Sequence, residues 1–250
     1  MKLALFGGTF DPVHRGHLAI AQAAADKFGL HQVYFVPADL PPHKLTRQLT
    51  GFHHRFAMLA LATADDQRFV PSLLDSSTGQ PNYSIHTVRR LKDKLKKSDQ
   101  LYFLIGIDAF MEISTWYHPV ELLAECDFIV VSRPGHSLGD VGEALPEALR
   151  PAPAVLQALR KQQATGAIAL PSTTIHLLSG VNERVSSTQI RAAAGKSVKQ
   201  LSRFVPEMVA EYIRKEHLYI NKPAQGEKEG VESHKVLSFR GATHRSKTHG

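Results

Sequence analysis

The chain has 250 residues, 43% of them hydrophobic, enough for a sizeable core and too many for a wholly disordered polymer. Its one cysteine, Cys126, excludes an internal disulfide and a cysteine-rich zinc site, and no apolar run approaches a membrane span. The net charge of +7 would suit nucleic acid, but six basic against three acidic residues fall within 221–250, and the remaining excess suits a polyanionic small substrate equally well.

Taken in order, strand-like runs alternate with helix-like ones. "KLALFGG" (2–8) reads as a strand. Its apolar run is too short for a signal peptide and meets Asp11 at once, so it reads as the buried first strand of a cytoplasmic protein. Residues 15–29 place Leu18, Ala21, Ala25 and Phe28 at helical spacing and stop at Gly29. "QVYFVPA" (32–38) is the next strand, 52–65 a helix, and 84–97 another, with Ser84 as its N-cap. "LYFLIGI" (101–107) and "DFIVVSR" (127–133) suit strands buried on both faces.

This alternation predicts an α/β fold: a doubly wound, mostly parallel sheet with helices on both faces, Rossmann-like, with its ligand at the carboxyl ends of the strands. The expected domain covers 1–220. Residues 136–166 read as an insertion with a helical piece near "AVLQALRKQQA", and 221–250 as a polar, disordered tail. No internal repeat is visible.

"GGTFDPVHRGH" (7–17) puts Gly7 and Gly8 at a strand end, then His14 and His17 one helical turn apart. Two histidines make a poor metal site, and no Walker A loop occurs. The remaining readings are a phosphate cradle at a helix start and an ordinary turn with a capping histidine. "VSSTQIR" (185–191) offers a second helix start, with Ser186, Ser187 or Thr188 as cap and Arg191 one turn in. Alone it reads as an N-cap with a surface arginine; beside the first, it suggests two anion sites that a polyphosphate could bridge.

The two stretches resemble the G-x-F/T-x-P-x-H-x-G-H and S/T-S-T-x-I-R signatures of the HxGH nucleotidylyltransferase superfamily. "PPHK" (41–44), "FHHRFAML" (52–59), "NYSIHTV" (82–88), "FLIGID" (103–108), "WY" (116–117) and "SRPG" (132–135) resemble one family within it, the bacterial nicotinate mononucleotide adenylyltransferases. The resemblance implies that His14 and His17 contact the ATP phosphates and are catalytic, and that Gly8, Thr9 and Phe10 form the turn that lies over the nucleotide. It places Gly106 and Asp108 near the ATP ribose, and Ser187, Thr188 and Arg191 at the outer phosphates. On the second substrate's side it implies stacking of Trp116 on the pyridine ring, Thr87 and Tyr117 beside the pyridine carboxylate, and His43 and Lys44 near the phosphates. On the residues alone, Trp116 would be packing, His43 an exposed turn and Asp108 a helix cap. One position departs: His86 stands where the family carries an acidic residue, and it is given no role.

The implied chemistry is adenylyl transfer from ATP to nicotinate mononucleotide, giving nicotinate adenine dinucleotide and pyrophosphate in NAD biosynthesis. Mg²⁺ would ride on the ATP phosphates, with no protein-held metal. The alternatives are a relative using nicotinamide mononucleotide, phosphopantetheine or a cytidylyl donor, and a basic nucleic-acid-binding protein, for which no helix-turn-helix, RRM or KH signature is present. No membrane partner is expected, and a homo-oligomer is left open.

Overall fold

The computed structural model describes residues 1–42, 49–76, 79–132, 135–161, 166–181, 185–195 and 197–220. Among them seven strands form one sheet in the order β3-β2-β1-β4-β5-β7-β6. The strands are β1 (Lys2–Gly8), β2 (Gln32–Pro37), β3 (Phe69–Pro71), β4 (Gln100–Gly106), β5 (Asp127–Val131), β6 (Gly166–Ala169) and β7 (Thr174–Leu178). All neighbours are parallel except β6, which lies antiparallel on β7 at the edge. The chain winds outward from β1 through β2 to β3, then crosses back to β4 and winds the other way. The order reverses between β1 and β4, the place where open α/β sheets leave a crevice at the carboxyl ends.

β1 shows why the sheet is covered twice. Ala4 and Phe6 face one hydrophobic layer, Leu3 and Leu5 the other, and all four are buried. The first layer is closed by α1 (Arg15–Phe28), α2 (Phe52–Thr63), α8 (Ser187–Ala193), α9 (Val198–Leu201) and α10 (Glu207–Lys215). The second is closed by α3 (Ser84–Lys92), α4 (Ile107–Phe110), α5 (Pro119–Glu125) and α6 (Leu138–Glu143). Each buried Leu, Ile or Phe contributes about 1.5–3 kcal/mol by leaving water.

α1 ends as expected, with Gly29 in the left-handed region at φ 64°. α3 departs from expectation at both ends. Its N-cap is Tyr83, not Ser84, and Ser84 is the first helical residue. It stops at Lys92, because Lys94 and Leu95 donate to carbonyls three residues back, those of Leu91 and Lys92, and the chain tightens out of the helix. The expected helical piece in 136–166 is α7 (Pro153–Lys161), which packs on α6. A Cβ at Gly139 would come within 2.9 Å of the Leu156 backbone oxygen, so that contact needs a glycine. The expected tail, 221–250, lies outside the described residues.

Candidate active site

A cavity of about 470 Å³ opens where β1 and β4 end. At its β1 end it is lined by Gly8, Thr9, His14 and His17, with Ser187 from the start of α8 opposite. Gly106 and Asp108 border it at the start of α4, and Thr87, Trp116 and Tyr117 line its far end. Ten of the residues that the resemblance singled out therefore share one cavity.

The β1–α1 turn explains the histidine pair. His14 is the N-cap of α1 and is buried; His17 sits one turn in. Their rings stack with centroids 3.6 Å apart, tilted by 21°. The His14 backbone N–H donates to Nδ1 of His17 at 3.2 Å. An accepting Nδ1 leaves the proton of the neutral ring on Nε2, a donor oriented by this bond. The pair thus stands at the positive end of the α1 dipole.

Beneath the pair lies Phe10, 2% exposed and in the left-handed region at φ 49°. Its ring packs edge-on to His17 at 5.0 Å and to Phe6 at 5.6 Å. The resemblance implied that Phe10 belongs to the turn over the nucleotide; its side chain floors that turn, since a large apolar ring gains more in the core than at the cavity wall. Gly8 lies tight against the same ring: a Cβ there would sit 3.0 Å from it, and the ring would have to shift.

Ser186 is the N-cap of α8, accepting from the Gln189 N–H at 3.3 Å. Ser187 donates its hydroxyl to the Pro12 carbonyl at 2.9 Å. Arg191 donates to the Asp11 carbonyl at 2.7 Å and to Thr188 Oγ1 at 3.0 Å. Thr188 and Arg191 do not line the cavity; they brace the Asp11–Pro12 segment from its rim. His43 and Lys44 lie outside the described residues.

At the far end, Trp116 is half-buried and packs edge-on to Phe103 at 6.3 Å. Tyr117 stacks on Tyr83 at 4.3 Å. Thr87 is buried, and its hydroxyl donates to Asp75, whose oxygens lie at 2.9 and 3.0 Å. Arg90 forms an ion pair with the same carboxylate. Burial pushes the Asp75 carboxyl up from the usual range, while hydrogen bonds from Arg90 and Thr87 pull it back. Ser84, also lining the cavity, opens α3, whose first N–H groups have no intrahelical partner. His86 is exposed beside the rim, 5.7 Å from the Tyr117 ring.

Several residues that shape the site escape the sequence patterns. Arg55 is 1% exposed inside α2. It donates to the carbonyls of Thr50 (2.8 Å), Thr9 (2.9 Å) and Ala38 (2.7 Å), tying the β1 turn to the end of β2. Burial lowers its pKa from the ordinary value, and the charges of Asp11 and Asp39 oppose that. Asp11 is itself buried and accepts from the Tyr219 hydroxyl at 2.8 Å. Burial, then the Asp11 charge, pushes the Tyr219 phenol up. One signal was available: an arginine at the spacing of Met58 and Leu59, on the apolar face of "FHHRFAMLALAT". Asp75 carries no local signal at all. Burial pushes the Cys126 thiol up to about 12, so it stays protonated. Among the described residues, no three His, Cys, Asp or Glu gather closely enough to hold a metal, and no helix is long and apolar enough to cross a membrane.

A family model described as cytidylyltransferase-like matches residues 5–193. A relative from Geobacter sulfurreducens, named "Probable nicotinate-nucleotide adenylyltransferase", is 36% identical over 221 residues, covering 88% of this chain and 98% of its own. One of the same name from Pelobacter propionicus is 36% identical over 225 residues, covering 89% of this chain and all of its own. Among solved structures, Plasmodium falciparum nicotinic acid mononucleotide adenylyltransferase complexed with NaAD aligns with a TM-score of 0.63 at 16% identity, over 87% of this chain and 97% of that one. The same enzyme complexed with APC aligns at 0.61, also at 16% identity, covering 87% and 96%. These two share the fold. The sequence relatives, matched from end to end, carry the stronger conclusion: the chain belongs to the nicotinate-nucleotide adenylyltransferase family of cytidylyltransferase-like enzymes.

Proposed function

We propose that this enzyme transfers the adenylyl group of ATP to nicotinate mononucleotide, giving nicotinate adenine dinucleotide and pyrophosphate, a step of NAD biosynthesis in the cytoplasm. The observation that carries the reading is the stacked His14–His17 pair at the start of α1, opening into the same cavity as Trp116 and Tyr117. Both substrates then lie in one enclosure, with their phosphates meeting at the β1 end.

A phosphate oxygen of the mononucleotide attacks the α-phosphorus of ATP. The bond from that phosphorus to the bridging oxygen breaks, and pyrophosphate leaves with its electron pair. The nucleophile is already ionised, so the chain supplies position and charge stabilisation rather than a general base. The Nε2–H of His17 and the N–H groups opening α1 face the charge that builds on the phosphate oxygens. Mg²⁺ enters with ATP as part of that substrate.

Gly106 and Asp108 take the ATP ribose, a carboxylate accepting from its hydroxyls. Gly8 and Thr9 approach the nucleotide, and Ser187 faces its outer phosphates from across the cavity, with Thr188 and Arg191 behind it. His43 and Lys44 meet the mononucleotide's phosphate. Trp116 stacks on the pyridine ring, whose carboxylate faces Thr87, Tyr117 and the opening turn of α3. That helix start favours an anion, and a carboxylate, unlike an amide, brings no donor that must find an acceptor. The domain ends near residue 220, and 221–250 takes no part in the chemistry.

Purified protein given ATP, Mg²⁺ and either nicotinate or nicotinamide mononucleotide tests the reading by product identification. Nicotinate adenine dinucleotide with stoichiometric pyrophosphate is the expected outcome. No dinucleotide from either acceptor would overturn it.

A further inference from the structure

The pyridine end of the cavity contains a charge that opposes its substrate. Asp75 lines the cavity and is 3% exposed. The single proton of the Thr87 hydroxyl is given to it, and Arg90 donates at 3.3 Å to the same hydroxyl oxygen. Thr87 therefore has no proton left for a substrate carboxylate. Left to itself, the side-chain wall here would be an acceptor with a negative charge. Such a wall suits an amide, whose NH₂ donates, and repels a carboxylate.

Arg90 reverses that balance. It reaches Asp75 from a partly exposed position on α3. Its Nε is buried with no hydrogen-bond partner among the described residues. The guanidinium is thus held short of its full set of hydrogen bonds, and what it supplies at this point is positive charge beside Asp75. Its neighbour Arg89 points elsewhere, pairing with Glu121 and Glu125 on α5.

We propose that the Asp75–Arg90 ion pair is the specificity-determining element for the pyridine substituent: Arg90 cancels the Asp75 charge and so admits a carboxylate, while Asp75 holds Thr87 and Arg90 in register. The inference rests on the reading of this cavity as the nicotinate mononucleotide site. With the pair intact, the N–H groups opening α3 decide in favour of the acid. With Arg90 gone, an ionised Asp75 favours the amide.

The test is the ratio of kcat/KM for nicotinate over nicotinamide mononucleotide, in the wild type, Arg90→Met and Asp75→Asn. The assays run at alkaline pH, so that Asp75, already pushed up by burial, stays charged without its partner. In Arg90→Met the ratio falls about tenfold or more, with KM for ATP unchanged. In Asp75→Asn it rises, because the negative charge on the cavity wall is gone and the positive charge of Arg90 behind it is unopposed. The double variant Asp75→Asn/Arg90→Met returns toward the wild-type ratio. A merely structural role would depress both substrates together and give no change of opposite sign.

An unchanged ratio in folded Arg90→Met overturns the proposal. So does an unchanged or lower ratio in Asp75→Asn, which decides alone if the arginine variant does not fold. A wild type that adenylylates neither mononucleotide overturns the underlying reading instead. A wild type active on the acid and unmoved in ratio by either substitution overturns this inference only.

Discussion

At the β1 end of the cavity the principal groups come from one continuous stretch, Gly8 to His17; at the pyridine end Asp75, Thr87 and Trp116 come from three separate segments. The first end is a strand–turn–helix whose geometry is local. Gly8 admits the Phe10 ring, Phe10 floors the turn, and His14 caps the helix carrying His17. The second is assembled by tertiary contacts, with Thr87 and Arg90 of α3 meeting at Asp75. The comparison suggests a division of labour. On the proposed reading, transfer chemistry is the same for every acceptor and belongs to the local turn, and choice of acceptor belongs to the assembled wall.

The largest expected effect bears on the local turn. His17→Ala should lower kcat by about 10²–10³, the usual cost of one charge-stabilising donor. Circular dichroism and thermal melting should stay near wild type, because His17 is only half-buried. Near-normal turnover in a folded variant would remove the histidine pair from the chemistry and undo the comparison.

Next comes the brace beneath it. Arg55→Met leaves three carbonyls, those of Thr9, Ala38 and Thr50, without their donor. Each loss costs about 1–3 kcal/mol when buried, though relaxation recovers part. A net loss of about 3 kcal/mol corresponds to a Tm lower by about 6–12 °C in a domain of this size. Denaturant unfolding would check it. Unlike His17→Ala, this variant loses stability and turnover together.

These two residues also mark what was legible in the sequence. His14 and His17 were readable because a strand, two glycines and a helix follow one another in the chain, and the resemblance then gave the pair its role. The same holds for the strand ending at "GID", while at "SSTQIR" the helix start was legible but not which of Ser186, Ser187 and Thr188 caps it. Arg55 was not readable as a brace, since its partners are carbonyls at 9, 38 and 50, and carbonyls carry no side-chain signal. β3 has three residues, too few for any period, and β6 exposes three of its four. Phe10 matched a signature position, yet its side chain goes to the core, because a motif fixes the backbone turn and not the direction of each ring. Thr87 was expected beside the pyridine carboxylate, and the sequence gives no sign that its proton is spent on Asp75, twelve residues earlier.

Smaller effects sharpen the boundary of the turn's support. Tyr219→Phe removes the hydroxyl that donates to Asp11 and should cost about 1 kcal/mol, read by denaturant unfolding. Truncation after Ile220 should leave turnover unchanged, because the composition of 221–250 cannot bury a core. Truncation after Leu218 removes Tyr219 and should lose at least as much stability as the phenylalanine variant. If removal of 221–250 abolishes turnover in a folded protein, those residues contribute to the site and the boundary at 220 is wrong.

The most direct test of the account is kcat/KM for nicotinate and nicotinamide mononucleotides, at fixed ATP and Mg²⁺, in the wild type and in His17→Ala side by side. The account predicts a preference for the acid of about ten- to a hundredfold in the wild type, the cost of facing a buried donor with donors. It predicts the same preference in His17→Ala, with both rates lowered in proportion. Equal values or a preference for the amide in the wild type would contradict the nicotinate reading, and a preference that vanishes in His17→Ala would contradict the division between the two ends.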